Sequence, residues 1–195
     1  MEKLPKIKLS QKPTYIKFAE DVDLYNLFQK IEQQFDTCFI FESLGEEGKF
    51  SRYSILGFDP SHVISARGDN LMIDNKSYPV KNPYFALKDI MPPRTITKNY
   101  AGGLIGYISY EAVNYLEPSL HIKIHDFFDQ FMFGVYEDGL ILDKLTNELF
   151  YFYYNNDRSS ILRKLMENKV QNRTLQVKFI RDSLTKREHK QIVEK

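Results

Sequence analysis

The 195-residue sequence predicts an α+β fold in which an antiparallel, sandwich-like β-sheet is flanked by helices. Three observations support this class. The chain is rich in β-forming aromatics, with 13 Tyr and 15 Phe but no Trp. Short apolar runs alternate with turn residues, as in antiparallel sheets. Two segments repeat apolar residues at helical spacing. With 43% hydrophobic residues the chain can bury a full core, so general disorder is excluded.

The first elements are a helix followed by two strands. The segment DVDLYNLFQKIEQQF predicts an amphipathic helix with Asp21 or Asp23 as its N-cap. The run TCFIFES is almost continuously apolar, which is typical of a strand covered on both faces. RYSILGF predicts a second strand beside it. The apolar stripe of the helix consists of Leu24, Leu27, Phe28, Ile31 and Phe35.

A hairpin and a second helix come next. HVISARGDNLMID predicts two strands joined by a turn at residues 68–70. NPYFALKDIMPP predicts a short helix capped by Asn82, with Pro83 in its first position. Two prolines, at 92 and 93, end that helix because proline cannot continue it.

The second half of the chain predicts more antiparallel structure. YAGGLIGYISYEAVNYLEP reads as a glycine-marked strand that runs into a short helix ending at Pro118. QFMFGVYEDGLILDKLTNELFYFYY predicts a three-stranded antiparallel meander. DRSSILRKLMENKV predicts an amphipathic helix, and QVKFI predicts one more strand.

The last eleven residues predict the start of another helix. Thr185 is followed three residues later by Glu188, which is the pattern of a capping box. The apolar stripe that then begins is not followed by a C-cap, and short helices are marginal unless they pack against something. We therefore expect one domain over residues 1–184 and, over residues 185–195, a helix that continues into further sequence.

Composition narrows the classes of partner. The 27 basic and 26 acidic residues nearly cancel, so no electrostatic argument favours a nucleic acid or a membrane. The single cysteine, Cys38, lies in an apolar run and reads as a small buried hydrophobic residue. We see no signal peptide and no membrane span, and therefore expect a cytoplasmic protein.

No catalytic constellation stands out. His121 and His125 have the i, i+4 spacing of some zinc ligands, but two exposed or hydrogen-bonded histidines are the better interpretation. The glycines of AGGLIG superficially resemble a phosphate loop, although close approach of another backbone explains them more simply. The Glu46–Glu47 pair is more typical of a solvated loop than of a catalytic site.

FESLGEEGKFSRYS, residues 41–54, is the most informative stretch. Glu42 and Ser43 end one strand, and Arg52 and Ser54 begin its expected neighbour across a glycine-flanked loop. A carboxylate suits an ammonium group, whereas hydroxyl and N–H groups suit a carboxylate, so these ends could hold a free amino acid. The alternative is an internal salt bridge between Glu42 and Arg52 that closes the loop. Residue chemistry alone favours the salt bridge.

Two segments resemble the N-terminal region of the anthranilate synthase component I family. FESLGEEGKFSRYSILGFDP is similar to the family stretch in which a strand ends in LLES and RYS-(I/V/F)-(I/L)-G-x-D-P follows. AGGLIGYISYEAVNYLE is similar to the family's GGxxGYxxYDxVRxxE. Phe41 replaces the usual Leu, and Asn114–Tyr115 replace the usual Arg-Phe or Arg-Tyr. The similarity extends from about Leu24 to the end of the chain.

The resemblance implies a function and a site. The family converts chorismate and ammonia, usually from glutamine through a partner amidotransferase, into anthranilate and pyruvate for tryptophan synthesis. It implies that catalytic residues and the glutamates that bind Mg²⁺ lie in a chorismate-binding domain outside this sequence, so no catalytic residue, metal ligand or cofactor is assigned here. It also implies an L-tryptophan feedback site in which Glu42 and Ser43 are contacts, with Phe41 and Leu44 as their neighbours. Arg52 is the candidate for a basic residue that takes part in some members, and the resemblance places the rest of the site in the chorismate-binding domain.

Two other functions stay open from the sequence. The equivalent domain of aminodeoxychorismate synthase, a folate-pathway relative, shares the fold and the substrate, although SRYSILGFDP favours the anthranilate enzyme. A free-standing module that binds an amino acid or a protein partner is the third hypothesis.

Overall fold

The computed structural model describes residues 3–10, 12–19, 22–43, 45, 51–92, 97, 99–168 and 183–194. Within this part of the chain the strands are Thr14–Phe18 (β1), Cys38–Glu42 (β2), Tyr53–Phe58 (β3), His62–Arg67 (β4), Asn70–Ile73 (β5), Lys76–Pro79 (β6), Gly103–Ile108 (β7), Phe131–Tyr136 (β8), Asp138–Asp143 (β9) and Glu148–Tyr153 (β10). The α-helices are Leu24–Gln34 (α1), Pro83–Ile90 (α2), Val113–Leu116 (α3), Ser159–Glu167 (α4) and Lys186–Val193 (α5).

The strands form two antiparallel sheets. The first sheet has the order β1-β10-β9-β3-β2, and the second has the order β6-β5-β4-β8-β7. Helices α1 and α4 pack on the first sheet through buried leucines such as Leu27 and Leu162, which meet Leu56 and Leu140. Helix α2 packs in the same way on the second sheet, with Ile90 in its core cluster. The predicted α+β class with antiparallel sheets and flanking helices is confirmed.

The helix ends follow from their capping residues. Asp23, not Asp21, caps α1 by accepting the N–H groups of Tyr25 and Asn26. Asn82 caps α2 as predicted. At α5 the Glu188 N–H donates to Thr185 Oγ1, and Glu188 Oε2 accepts the Thr185 N–H at 2.8 Å, so the predicted capping box is present.

The predicted three-stranded meander is wrong. Strands β9 and β10 pair, but β8 belongs to the second sheet, where it lies between β4 and β7. Glu137 is the one residue between β8 and β9, so the chain passes there from one sheet directly into the other. A three-residue link, 59–61, carries the chain from β3 to β4 in the same way. Alternation within each strand carries no information on which sheet the next strand joins, and this explains the error.

The prediction that β2 is covered on both faces holds for its first half only. Cys38, Phe39 and Ile40 are partly buried, whereas Phe41 and Glu42 are exposed, and β2 is an edge strand of the first sheet. Ile40 and the partly buried Cys38 pack toward the helix-covered core. On the other face the Phe39 ring packs against the Tyr136 ring, with the two centroids 4.8 Å apart. Both faces therefore need apolar residues near the start of the strand. Phe41, near its end, is 51% exposed.

The glycines of AGGLIG permit a close approach between backbones. A Cβ atom at Gly106 would lie 1.9 Å from the carbonyl oxygen of Met132, and one at Gly102 would lie 2.0 Å from that of Tyr136. Both oxygens belong to the neighbouring strand β8. This geometry supports the close-approach interpretation over a phosphate loop. The strand predicted at QVKFI lies outside the described residues.

Candidate functional site

The end of β2 places Glu42 beside β3. Glu42 is directly opposite Ser54 in the antiparallel register, and Ser54 Oγ donates to Glu42 Oε1 at 3.5 Å. Residues that lie opposite each other point to the same face of a sheet. Ser54 is buried, whereas Glu42 is exposed at the edge, so the carboxylate is accessible to a ligand. Ser43 follows and is partly buried; the predicted site residue Leu44 lies outside the described residues.

Phe41 faces the other side of the sheet. Its opposite residue is Ile55, and successive residues of a strand point to opposite faces. The Phe41 ring contacts Phe39, with their centroids 4.9 Å apart. The structure therefore places Phe41 and Glu42 next to each other in the chain but on different faces, and one small ligand cannot lie flat against both side chains.

Arg52 is paired with a carboxylate that the sequence did not suggest. Its Nε donates to both Asp143 oxygens at 2.9 and 3.0 Å, and its Nη2 donates to Oδ2 at 2.6 Å. These hydrogen bonds hold the pKa of Asp143 below its usual value and raise the pKa of Arg52. Among the described residues, the carboxylate partner of Arg52 is Asp143 and not Glu42. The salt bridge that residue chemistry favoured, Glu42 with Arg52, is thus a wrong prediction.

Lys144 joins the two ends of the loop between β2 and β3. Its Nζ donates to the carbonyl oxygen of Ser43 at 2.5 Å, and its backbone N–H donates to the carbonyl oxygen of Arg52 at 2.8 Å. The residue lies in the turn between β9 and β10, and 101 positions separate it from Ser43. Sequence reasoning missed Lys144 and Asp143, since the strand pairing that brings them to the loop connects distant parts of the chain.

An aromatic-walled cavity of about 370 Å³ lies beside Arg52. Its walls come from the face of the first sheet that carries Phe41 and Ile55, together with the segment at Tyr100. Burial raises the pKa of Tyr100 to about 12, so its hydroxyl stays neutral. The cavity can accept an apolar ring. The residues lining it are Tyr15, Arg52, Tyr53, Ile55, Asn99, Tyr100, Ile141, Asp143, Glu148 and Phe150.

A second cavity, of about 420 Å³, lies where the chain passes between the sheets. Its charged groups are used internally, because Arg158 pairs with both Asp59 and Asp138. We attribute a structural role to this cluster. His121 and His125 are both exposed. In the described ranges, no three His, Cys, Asp or Glu side chains come together in a way that could hold a metal ion. Nor does any helix there have the length and apolar character needed to cross a membrane.

Comparison with known proteins identifies similar sequences. The model of the chorismate binding enzyme family matches residues 36–195. Anthranilate synthase component 1 of Leptospira biflexa is 42% identical over 98% of this chain and 43% of its own length. The protein of the same name from Methanothermobacter marburgensis is 30% identical over 87% of this chain and 37% of its own length. The chain thus spans less than half the length of these relatives.

Among solved structures, anthranilate synthase component I from Streptococcus pneumoniae TIGR4 matches with a TM-score of 0.47 and 18% sequence identity. The match covers 63% of this chain and 30% of that one.

Proposed function

The chain belongs to the chorismate-binding enzyme family, and from this premise we propose that it is the N-terminal, tryptophan-binding regulatory domain of an anthranilate synthase component I. The whole protein would convert chorismate and ammonia into anthranilate and pyruvate in tryptophan biosynthesis, in the cytoplasm. An amidotransferase subunit would supply the ammonia from glutamine. Residues outside the 195 would bind chorismate and Mg²⁺. The names of the relatives support the reaction, and their lengths leave room for such residues, because the chain accounts for less than half of each. The match to the chorismate binding enzyme family itself covers residues 36–195.

The observation that carries the regulatory assignment is the exposed Glu42 carboxylate at the end of β2. In the described part of the chain it forms no ion pair, and its contact is the long one with Ser54. A free carboxylate at an open strand end can receive the ammonium group of an amino acid through a charge-assisted hydrogen bond. Ser43 follows directly and can add a hydroxyl donor.

Inhibition at this site requires two conformational states. Tryptophan can reduce activity only if it binds more tightly to the state in which the chorismate site works poorly. The turn between β9 and β10 is a suitable element to report binding, since Lys144 joins it to Ser43 and to the backbone of Arg52.

A chimera tests the proposal. The region of the Leptospira biflexa protein that aligns with this chain is replaced by residues 1–195, and anthranilate formation from chorismate is followed by fluorescence. We expect an active enzyme that L-tryptophan inhibits. Glu42→Gln and Ser43→Ala should each raise the half-inhibitory concentration by ~10-fold or more without changing kcat, because each loses a hydrogen bond to the ligand.

Ser119→Ala is the matched control, since Ser119 is exposed and bonds to Glu117 away from β2. It should behave like the unsubstituted chimera. An active chimera that L-tryptophan does not inhibit would contradict the regulatory assignment. To separate the anthranilate enzyme from its aminodeoxychorismate relative, the full-length gene is tested for complementation of a tryptophan auxotroph, and growth without tryptophan is expected.

A further inference from the structure

We propose that Lys144 is the cation that binds the carboxylate of the amino-acid effector, in place of Arg52, the basic residue that the family resemblance suggests for the site. The inference rests on the proposed function, because it concerns the same site at the end of β2. It assigns a binding role to a residue from the turn between β9 and β10.

The first argument is position. Lys144 Nζ lies 2.5 Å from the carbonyl oxygen of Ser43, so the ammonium group is already at the residue that follows Glu42. The backbone N–H of Lys144 bonds to the Arg52 carbonyl, which fixes the turn against the start of β3. The side chain is therefore anchored at both its base and its tip.

The second argument is spare hydrogen-bonding capacity. A lysine ammonium has three N–H donors, and in the described ranges Ser43 supplies the one acceptor found for Lys144. Two donors remain for a ligand. Arg52 differs because Nε and Nη2 are both engaged by Asp143, and the carboxylate largely cancels its charge. An incoming carboxylate would have to compete with Asp143 for Arg52 but not for Lys144.

The third argument is charge complementarity. Glu42 supplies a negative group at the end of β2, and Lys144 brings a positive group from the turn between β9 and β10 to the carbonyl oxygen of the next residue, Ser43. An α-amino acid carries an ammonium and a carboxylate on the same carbon atom, so it presents the opposite pair of charges. The arrangement predicts that a ligand needs both groups, and that loss of either one weakens binding.

Three ligands separate the two charges experimentally: L-tryptophan, tryptamine, which lacks the carboxylate, and indole-3-propionate, which lacks the ammonium group. Half-inhibitory concentrations are measured for each on the chimera. Lys144→Met should raise the half-inhibitory concentration of L-tryptophan by ~10- to 100-fold and leave that of tryptamine unchanged. The preference for L-tryptophan over tryptamine is then lost. Glu42→Gln should instead reduce the preference for L-tryptophan over indole-3-propionate.

Two more variants distinguish binding from a purely structural role. Lys144→Gln keeps a donor for Ser43 but removes the charge, so it should resemble Lys144→Met. Lys144→Arg should retain most of the preference over tryptamine. Melting temperatures of all variants identify any that fail to fold.

The proposal is overturned if Lys144→Met and Lys144→Gln keep the preference for L-tryptophan over tryptamine, or if Arg52→Met abolishes that preference while they do not. Failure of the proposed function gives a different result, because the unsubstituted chimera itself is then not inhibited by L-tryptophan.

Discussion

Arg158 holds together the corner at which the chain passes between the two sheets, and its removal should destabilise the whole fold. Its Nε and Nη2 bind both oxygens of Asp138 at 2.8 and 2.5 Å, and its Nη1 binds Asp59 Oδ2 at 2.6 Å. The guanidinium also lies 4.4 Å from the centre of the Phe58 ring. One side chain thereby links β9 to the end of β3, next to both crossings between the sheets.

The loss of stability in Arg158→Met follows from the buried Asp138 carboxylate that it leaves unpaired. The Asp138 side chain is only 6% exposed, and without Arg158 the side-chain donor left to it in the described part of the chain is the Tyr151 hydroxyl at 2.8 Å. Removal of one partner from a buried ion pair costs ~3–5 kcal/mol, and we take the lower end because the Arg158 side chain is 21% exposed. For a chain of this length, ~3 kcal/mol corresponds to a fall of roughly 6–12 °C in Tm.

Thermal unfolding followed by circular dichroism measures this effect. The control is Lys17→Met, which breaks the pair between Lys17 and Glu148, whose side chains are 57% and 36% exposed. Exposed pairs contribute little, so Tm should hardly change. Asp138→Asn combined with Arg158→Met should be less destabilised than Arg158→Met alone, since no buried charge is left unpaired. Equal Tm values for Arg158→Met and Lys17→Met would refute the reasoning.

Three further predictions concern stability. Gly106→Ala should lower the free energy of unfolding, measured in urea, by ~3 kcal/mol because its Cβ atom would meet the backbone of β8. Gly68→Ala, where φ is 56° but the space is open, should lower it by ~1 kcal/mol. Similar losses for the two variants would contradict the close approach at Gly106. Because Arg52 lowers the pKa of Asp143 below its usual 3.8, this carboxylate stabilises the fold fully above about pH 4 and loses that effect as the pH falls through its folded-state pKa. The stability difference between wild type and Asp143→Asn should therefore shrink on acidification, and a constant difference would be inconsistent with the pair. Thr185→Ala should weaken the start of α5 by ~1 kcal/mol, seen as faster amide hydrogen exchange in that helix, and unchanged exchange would count against the capping box.

Local sequence signals predicted the elements well. The N-cap of α2 at Asn82, the hairpin turn at Gly68 and the capping box at Thr185 all depend on residues within four positions of each other. Helices α1 and α4 follow in the same way from the spacing of their apolar residues. Interactions of this short range can be read directly from the order of the residues.

The sheet arrangement and part of the site could not be predicted because they depend on distant pairs. Glu137 resembles an ordinary turn residue, yet it joins two sheets. The partner of Arg52 is 91 positions away, at Asp143, and Lys144 reaches Ser43 across 101 positions. The sequence indicated that Glu42 and Ser43 end a strand near Arg52. It contained no signal for which charged residue of the turn between β9 and β10 would lie beside them.

The most direct test of the central claim, that the end of β2 binds L-tryptophan, is a chemical-shift titration. L-Tryptophan is added to the isotope-labelled chimera that contains residues 1–195, because the resemblance places the rest of the effector site outside these residues, and backbone amide resonances are followed by NMR. The account predicts saturable shifts concentrated at Glu42, Ser43 and Lys144, with little change at Ser119. Shifts that are absent from these three residues while others saturate elsewhere, or no shifts at all at millimolar ligand, would contradict it.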